Sequence, residues 1–308
     1  MDPIYLSDAT LAGLGITPAD IRSAIADVLR GVEAGTVHVA PKTNVIAGDG
    51  RYMMATLSSS DPAGLIAVKY AMVNDRNKAL GLPGINSAIM LMDAETGALR
   101  ATLDGNWITG VRTAGLSAVA AEQLADPAAA TLGLIGAGVQ GESHLRAFAD
   151  QFPLAHVRVF GRSPGPVAAL CDMARGLGLE AVAAASPEAC LTGADIVVTS
   201  VTLDYTIAPF LDARWLKPGA FAAITDLAIP WHDESLTAFG AVYVDDADQE
   251  RAMAKPMVDP GLIRGDLRDL VVRGAGTLGD APRAFIFRGI AAGDLAVAAL
   301  AYRRATAG

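Results

Sequence analysis

From Thr131 onward the chain alternates short apolar runs with longer amphipathic segments, and that alternation admits few folds. "TLGLIG", "HVRVFG", "EAVAA", "DIVVTSV", "AFAAIT" and "AVYVD" are each too short for a helix, whereas "VQGESHLRAFADQF" and "PGPVAALCDMARGLG" carry helical spacing. Runs that are apolar on consecutive positions are strands covered on both faces, so the expectation is an α/β fold with a parallel sheet flanked by helices. Val167, Leu170, Cys171, Ala174 and Leu177 fall on one helical face, which makes Cys171 a core residue and not a nucleophile.

The first 120 or so residues follow another pattern. A helix, "TPADIRSAIADVLRGVEAG", precedes β-type runs in "HVAPKTNVIAG", "RYMMATLSS", "GLIAVKYAMV", "SAIMLMDAETG" and "LRATLDG", which are broken by Gly, Asp and Asn turns without long helices between them. An antiparallel or mixed sheet in a separate α+β domain is expected there. "RTAGLSAVAAEQLADP" is a helical bridge, and Leu295, Ala298, Ala299 and Tyr302 share a face of a last helix. The expected domains are residues 1–122 with 290–308, and residues 123–289. The length of 308 residues suits two such units.

At the first strand-to-helix junction, Gly136, Gly138 and Gly141 form G-x-G-x-x-G in "GLIGAGVQGESH". A glycine each for the tight turn, for close approach to a pyrophosphate and for helix–strand packing is the dinucleotide-binding pattern, with phosphates at the helix amino terminus. The residue that selects between coenzymes lies about 20 positions further on, usually an acid for NAD. Here "VFGRSP" offers Arg162 and Ser163 and no carboxylate, which favours NADP over NAD; the competing view is an exposed turn with an incidental arginine.

Composition narrows the partners. A formal charge of −9 gives no basic field for nucleic acid, and no apolar stretch is long enough for a membrane span. Cys171 and Cys190, the only two cysteines, have no metal-type spacing, so no metal is expected. Together with a first segment lacking a basic-then-apolar signal, they point to a reducing cytoplasm.

Three cations sit inside otherwise apolar stretches: Lys42 in "HVAPKTNVI", Lys69 in "GLIAVKYAMV" and Arg112 in "NWITGVRTAG". Lys42 also suits a strand lysine pointing to water. Lys69 follows consecutive apolar residues, and a buried ammonium is costly unless paired. Its partner is either a protein acid or, failing that, a substrate carboxylate.

The stretch from Val68 to Phe148 carries, in order, this lysine, G-L-P, D-x-x-T-G, T-x-x-R-T-A, and G-x-G-x-Q with His144 four residues after the glutamine. In these motifs, and along nearly its whole length, the chain resembles the ornithine cyclodeaminase and mu-crystallin family. The resemblance implies a Rossmann-type doubly wound domain, a second domain that binds substrate and makes a homodimer interface, and a nicotinamide cofactor facing a small amino- or imino-acid. It further implies that Lys42, Lys69 and Arg112 grip the substrate carboxylate and that Thr113 and Gln140 lie near the cofactor, although both also suit a helix surface. His144 is read as a packed helix histidine.

In the family an aspartate in a glycine-bearing loop after the fifth parallel strand handles the substrate nitrogen. This chain has Asp226 in "AAITDLAIPWHDESL", without the small residues, and with Trp231 close by. Asp226 is either that acid or a cap on the strand end. "HDES" is expected to start a helix. Imine reduction asks less of such a loop than cyclodeamination does: a carboxylate clamp, a hydride donor and an acid for the nitrogen, Asp226 or Lys69. The expected activity is therefore NADPH-dependent reduction of a ketimine or cyclic imino acid. An ornithine- or lysine-type cyclodeaminase and a non-catalytic NADPH-binding crystallin are the alternatives.

Overall fold

The computed structural model describes residues 2–202 and 205–307. It divides the chain into two compact units, Met1–Arg112 with Ile290–Gly308, and Thr113–Gly289.

The first unit runs β1 (Ile4–Leu6), α1 (Asp8–Ala12), α2 (Pro18–Glu33), β2 (Val37–Val39), β3 (Thr43–Ile46), β4 (Tyr52–Ser60), β5 (Leu65–Val73), β6 (Ile85–Asp93) and β7 (Leu99–Asp104). Helix α3 (Gly105–Leu124) follows and carries the unit boundary within it, ten residues before the expected 122. Among the described residues the strands make a seven-stranded sheet ordered β1-β7-β6-β5-β4-β2, with β3 also on β4. All pairs are antiparallel except β1 with β7, so the sheet is mixed. Because side chains alternate along a strand, Leu65, Ala67, Lys69 and Ala71 share the buried face of β5 while Tyr70 is exposed on the other. The last helix of the chain packs on the buried face, over β4, β5 and β6, and against α2. A capping box starts α2: Thr17 Oγ1 accepts from Asp20 N at 3.1 Å, and Asp20 Oδ2 accepts from Thr17 N at 3.0 Å.

The second unit continues with β8 (Thr131–Ile135), α4 (Val139–Gln151), β9 (His156–Phe160), α5 (Pro164–Gly176), β10 (Glu180–Ala183), α6 (Pro187–Leu191), β11 (Ile196–Thr199), β12 (Phe221–Ile224), β13 (Ala241–Val244), α7 (Ala247–Arg251), β14 (Ile263–Asp266), α8 (Leu267–Arg273) and β15 (Arg283–Ile286). The chain ends, back in the first unit, with α9 (Ala291–Thr306). Among the described residues of the second unit, eight strands lie parallel in the order β10-β9-β8-β11-β12-β15-β13-β14, so strand order reverses between β8 and β11. That is a Rossmann-type doubly wound sheet, whose crevice for ligands opens at the carboxyl ends of the strands at this switch point.

Two local expectations fail. Leu177 is exposed because α5 stops at Gly176 and Leu177 becomes its cap, followed by Gly178 at φ +83°. "HDES" starts no α-helix but a 3-10 segment, Asp233–Ala238, in which the Ser235 hydroxyl donates to His232 O at 2.7 Å and competes with helical pairing. Cys171 is buried in the core as expected.

Candidate functional site

In the second unit the site is made of backbone. Gly136 follows β8 with φ +104°, and a Cβ there would lie 2.6 Å from Ser200 O. Gly141 sits in the first turn of α4, where a Cβ would meet Gly136 O at 2.6 Å. Gly138 is different. It is the N-cap of α4, no side chain caps the helix there, and a Cβ would have nothing within 4 Å. Tight turn, close packing and an open approach to the helix amino terminus are thus divided among Gly136, Gly141 and Gly138 in the pattern a pyrophosphate needs, so the residues fit a dinucleotide.

Beyond β9, Arg162 and Ser163 are exposed, Ser163 being the N-cap of α5 without a side-chain capping bond. Gln140 is half-buried on α4, and Thr113 is buried in α3. His144 is buried between these helices: Nδ1 lies 2.8 Å from Gln140 O and Nε2 lies 2.9 Å from Ser117 Oγ. Since a carbonyl only accepts, Nδ1 carries the proton and Nε2 accepts from Ser117. Burial pushes the ring down to about 4 against that hydrogen bond.

Asp226 stands on the same carboxyl edge. Ser200, which abuts Gly136, is followed by Val201, whose N–H donates to Asp226 Oδ2 at 3.1 Å. Thr199 Oγ1 donates to Asp226 Oδ1 at 3.1 Å and accepts from Trp231 Nε1 at 3.3 Å. Burial raises the Asp226 carboxyl to about 6 in spite of these donors. The next two residues, Leu227 and Ala228, are left-handed at φ 58° and 59°, closed by Ile229 N donating to Asp226 O at 3.2 Å. L-residues enter that region at a cost of about 1 kcal/mol or more each, and such strain gathers at functional sites.

In the first unit the site is made of charge. Lys69, on β5, is 3% exposed; its Nζ donates to Asp294 Oδ1 at 2.8 Å and to Thr109 Oγ1 at 2.7 Å. Arg112 Nε lies 3.0 Å from the same Asp294 oxygen. Lys69 therefore has a protein acid as partner. That acid is shared, so the two cations and one carboxylate sum to one positive charge. Burial dominates the Lys69 ammonium and Asp294 opposes it; with Arg112 and Lys42 also acting against the proton, it is pushed down to about 8. Burial alone would raise Asp294, but Arg112 and Lys69 outweigh it and hold the carboxyl below its usual range. Lys42, half-buried between β2 and β3, lies within electrostatic reach of Lys69.

The structure thus brings Lys69, Arg112 and Lys42 together in one unit, and the three glycines and Asp226 along one sheet edge in the other. Asp294 and Thr109 were not among the candidates. Asp294 had a signal: it lies four residues before Ala298, on the apolar face of α9, where an acid needs a buried partner. Among the described residues no group of three or more His, Cys, Asp or Glu is placed to hold a metal ion, and no helix is long and apolar enough to cross a membrane.

The second unit thus carries a Rossmann-type sheet with a glycine turn that fits a dinucleotide, and the first a buried cluster of two cations on one acid. The sequence model of the ornithine cyclodeaminase/mu-crystallin family matches residues 14–228, and the chain belongs to that family. It is 26% identical over 286 residues to ketimine reductase mu-crystallin of Rattus norvegicus, covering 92% of this chain and 90% of that one. Delta(1)-pyrroline-2-carboxylate reductase of Paracoccus denitrificans is 30% identical over 219 residues, 66% of this chain and 67% of that one. Among solved structures, Delta(1)-pyrroline-2-carboxylate reductase of Thermococcus litoralis, in complex with NADH and L-proline, superimposes with a TM-score of 0.88 at 24% identity, covering 98% and 97% of the two chains.

Proposed function

We propose that the protein is an NADPH-dependent reductase of C=N bonds that converts a ketimine or cyclic imino acid, of the pyrroline- or piperideine-2-carboxylate type, to an amino acid. The observation that carries this is the buried cluster in which Lys69 and Arg112 share one acid, leaving a positive charge away from water. A small carboxylate matches that charge, and Lys42 adds attraction from the half-buried side. At an effective dielectric near 20, two unit charges 4 Å apart attract by about 4 kcal/mol before desolvation, enough to orient a small acid.

Two N–H groups of Lys69 go to Asp294 and Thr109, and the third is assigned to the substrate. A group titrating near 8 gives up and regains a proton readily at neutral pH, which suits Lys69 as the acid for the imine nitrogen. Asp226, raised to about 6, is assigned as a second acid on that nitrogen. When bound, the reduced nicotinamide supplies a hydride to the imine carbon. Gly136, Gly138 and Gly141 hold its pyrophosphate, with Gln140 and Thr113 beside the cofactor. The choice of NADPH rests on Arg162 and Ser163 and on the missing acid beside them, since the Thermococcus litoralis structure holds NADH. The names of the rat and Paracoccus relatives support a reductase over a cyclodeaminase.

A homodimer belongs to the same proposal. The face of the first unit's sheet turned away from α9 carries Leu57, Tyr70 and Met90 at 50%, 47% and 44% exposure, and Val68 pairs across to both Leu57 and Met90. A contiguous apolar face of this kind fits an isologous interface with a second copy. Light scattering of M90E is expected to show monomers where the wild type is dimeric.

One screen tests the activity. Imino acids should oxidise NADPH stoichiometrically. Ammonia release from ornithine or lysine without net NADPH change identifies a cyclodeaminase instead, and tight NADPH binding with no turnover identifies a binding protein. D226N separates acid from anchor: loss of the limb of the pH–rate profile near 6 supports the acid, and an unchanged profile with lower stability leaves only the anchor.

A further inference from the structure

We propose that Asp294 is the positioning residue that fixes the charge of the carboxylate site: one of its oxygens bridges Lys69 and Arg112, cutting two buried cations to a single net positive charge matched to one substrate carboxylate. The proposal rests on the carboxylate-binding role assigned above.

Asp294 is a buried acid whose contacts are with the two cations and one hydroxyl. It lies in the first turn of α9, among Ala, Gly, Leu and Val, and is 3% exposed. Oδ1 meets Lys69 Nζ at 2.8 Å and Arg112 Nε at 3.0 Å, and Oδ2 accepts from Thr56 Oγ1 at 3.4 Å. The positive end of the α9 dipole adds to these contacts. Without Asp294 the site would hold two adjacent cations in a desolvated setting, where like charges resist coexisting and the lysine is the one able to shed its proton. With Asp294 in place, Lys69 keeps its proton near neutrality and both cations are fixed to one point, so a single incoming carboxylate completes the balance. The charged groups facing Lys69 are Asp294 from α9, Arg112 from α3 and Lys42 from the segment between β2 and β3.

The test uses pyrrole-2-carboxylate, a planar carboxylate without a reducible C=N bond, titrated calorimetrically into the full-length protein between roughly pH 6 and 10. Wild-type affinity is expected to fall as pH rises through about 8. In D294N the fall should come at least about one pH unit lower, because the partner that sustains the ammonium is gone. Thermal unfolding at about pH 6, where Lys69 of D294N still holds its proton, adds a readout that mere loss of hydrogen bonds does not produce: K69M introduced into D294N should raise its Tm by removing the surplus charge. An unchanged midpoint in D294N overturns the proposal and leaves carboxylate binding standing. A wild type that binds no carboxylate at any pH removes both. If D294N is recovered only as aggregate, D294N/K69M decides: a folded double variant supports the proposal, and a second aggregate overturns it.

Discussion

The cation cluster and the glycine turn are built on opposite plans. The cluster gathers charged side chains from positions as far apart as Lys69 and Asp294, 225 residues, and depends on which charges are present. The turn is a run of six residues, Gly136 to Gly141, and depends on which atoms are missing. A site of charge is broken by taking a group away, and a site of backbone by adding one.

Arg112→Ala should have the largest effect. Truncating one partner of a buried charge pair costs roughly 2–5 kcal/mol, so kcat/KM for an imino acid should fall roughly thirtyfold to a few thousandfold. The Kd for NADPH should stay within about twofold, because loss of a side chain from the cluster leaves the turn intact. Steady-state kinetics alongside a fluorescence titration measure both. Unchanged efficiency would remove the cluster from substrate binding.

His144→Gln probes the helix that carries the turn. The ring titrates near 4 in the folded protein against an ordinary 6.5, so the fold binds fewer protons and loses stability as pH falls through that interval, by roughly 3 kcal/mol in all. Asp226 acts in the opposite sense. Raised from 3.8 to about 6, it makes the fold bind more protons and gain stability as pH falls across its own interval. The two slopes offset in the wild type. H144Q keeps an acceptor for Ser117 but does not titrate, so its urea-unfolding free energy should gain on that of the wild type between pH 7 and 5. Parallel curves would mean that the buried ring is not what couples stability to pH.

The turn was legible in the sequence for the reason that makes it a backbone site: all its parts are local, and each glycine answers a steric demand within reach of its neighbours. The parallel sheet was legible likewise, since Leu132–Ile135, Ile196–Val198 and Phe221–Ile224 are apolar without a break. The cations of the cluster stood out as charges inside apolar runs, but their pairing did not. Asp294 stands on the apolar face of α9, which marks it as an acid in need of a buried partner, but which residues meet it is set only when α9 packs on β5. Strand β1 has three residues, too few for a period, and β15 enters the sheet between β12 and β13, ahead of its place in the chain. Long-range order of that kind is settled by packing and leaves no local pattern.

Arg162→Ala sharpens the comparison from the turn's side, because it tests the one charge assigned to the backbone site. A charge-assisted contact to a 2′-phosphate is worth roughly 1.5–3 kcal/mol, so the Kd for NADPH should rise roughly tenfold to a hundredfold while that for NADH stays constant. Equal affinity for both coenzymes in the wild type, with no loss in R162A, would make Arg162 an incidental surface residue.

Gly138→Ala has the smallest expected effect and draws the sharpest line between the two plans. At φ −101° and ψ −164° any residue is accommodated, and the added methyl meets nothing within 4 Å, so the unfolding free energy without cofactor should change by less than about 0.5 kcal/mol. Gly141→Ala, by contrast, drives a methyl to 2.6 Å from Gly136 O and should cost stability before any ligand is added. If the open space above Gly138 is where a pyrophosphate comes down onto the amino terminus of α4, the same harmless methyl should weaken both coenzymes about tenfold. Isothermal titration of NADPH and NADH, paired with urea unfolding, measures the two halves. Full affinity in G138A would mean that no phosphate approaches this backbone closely, and would reduce the three glycines to a tight corner between β8 and α4.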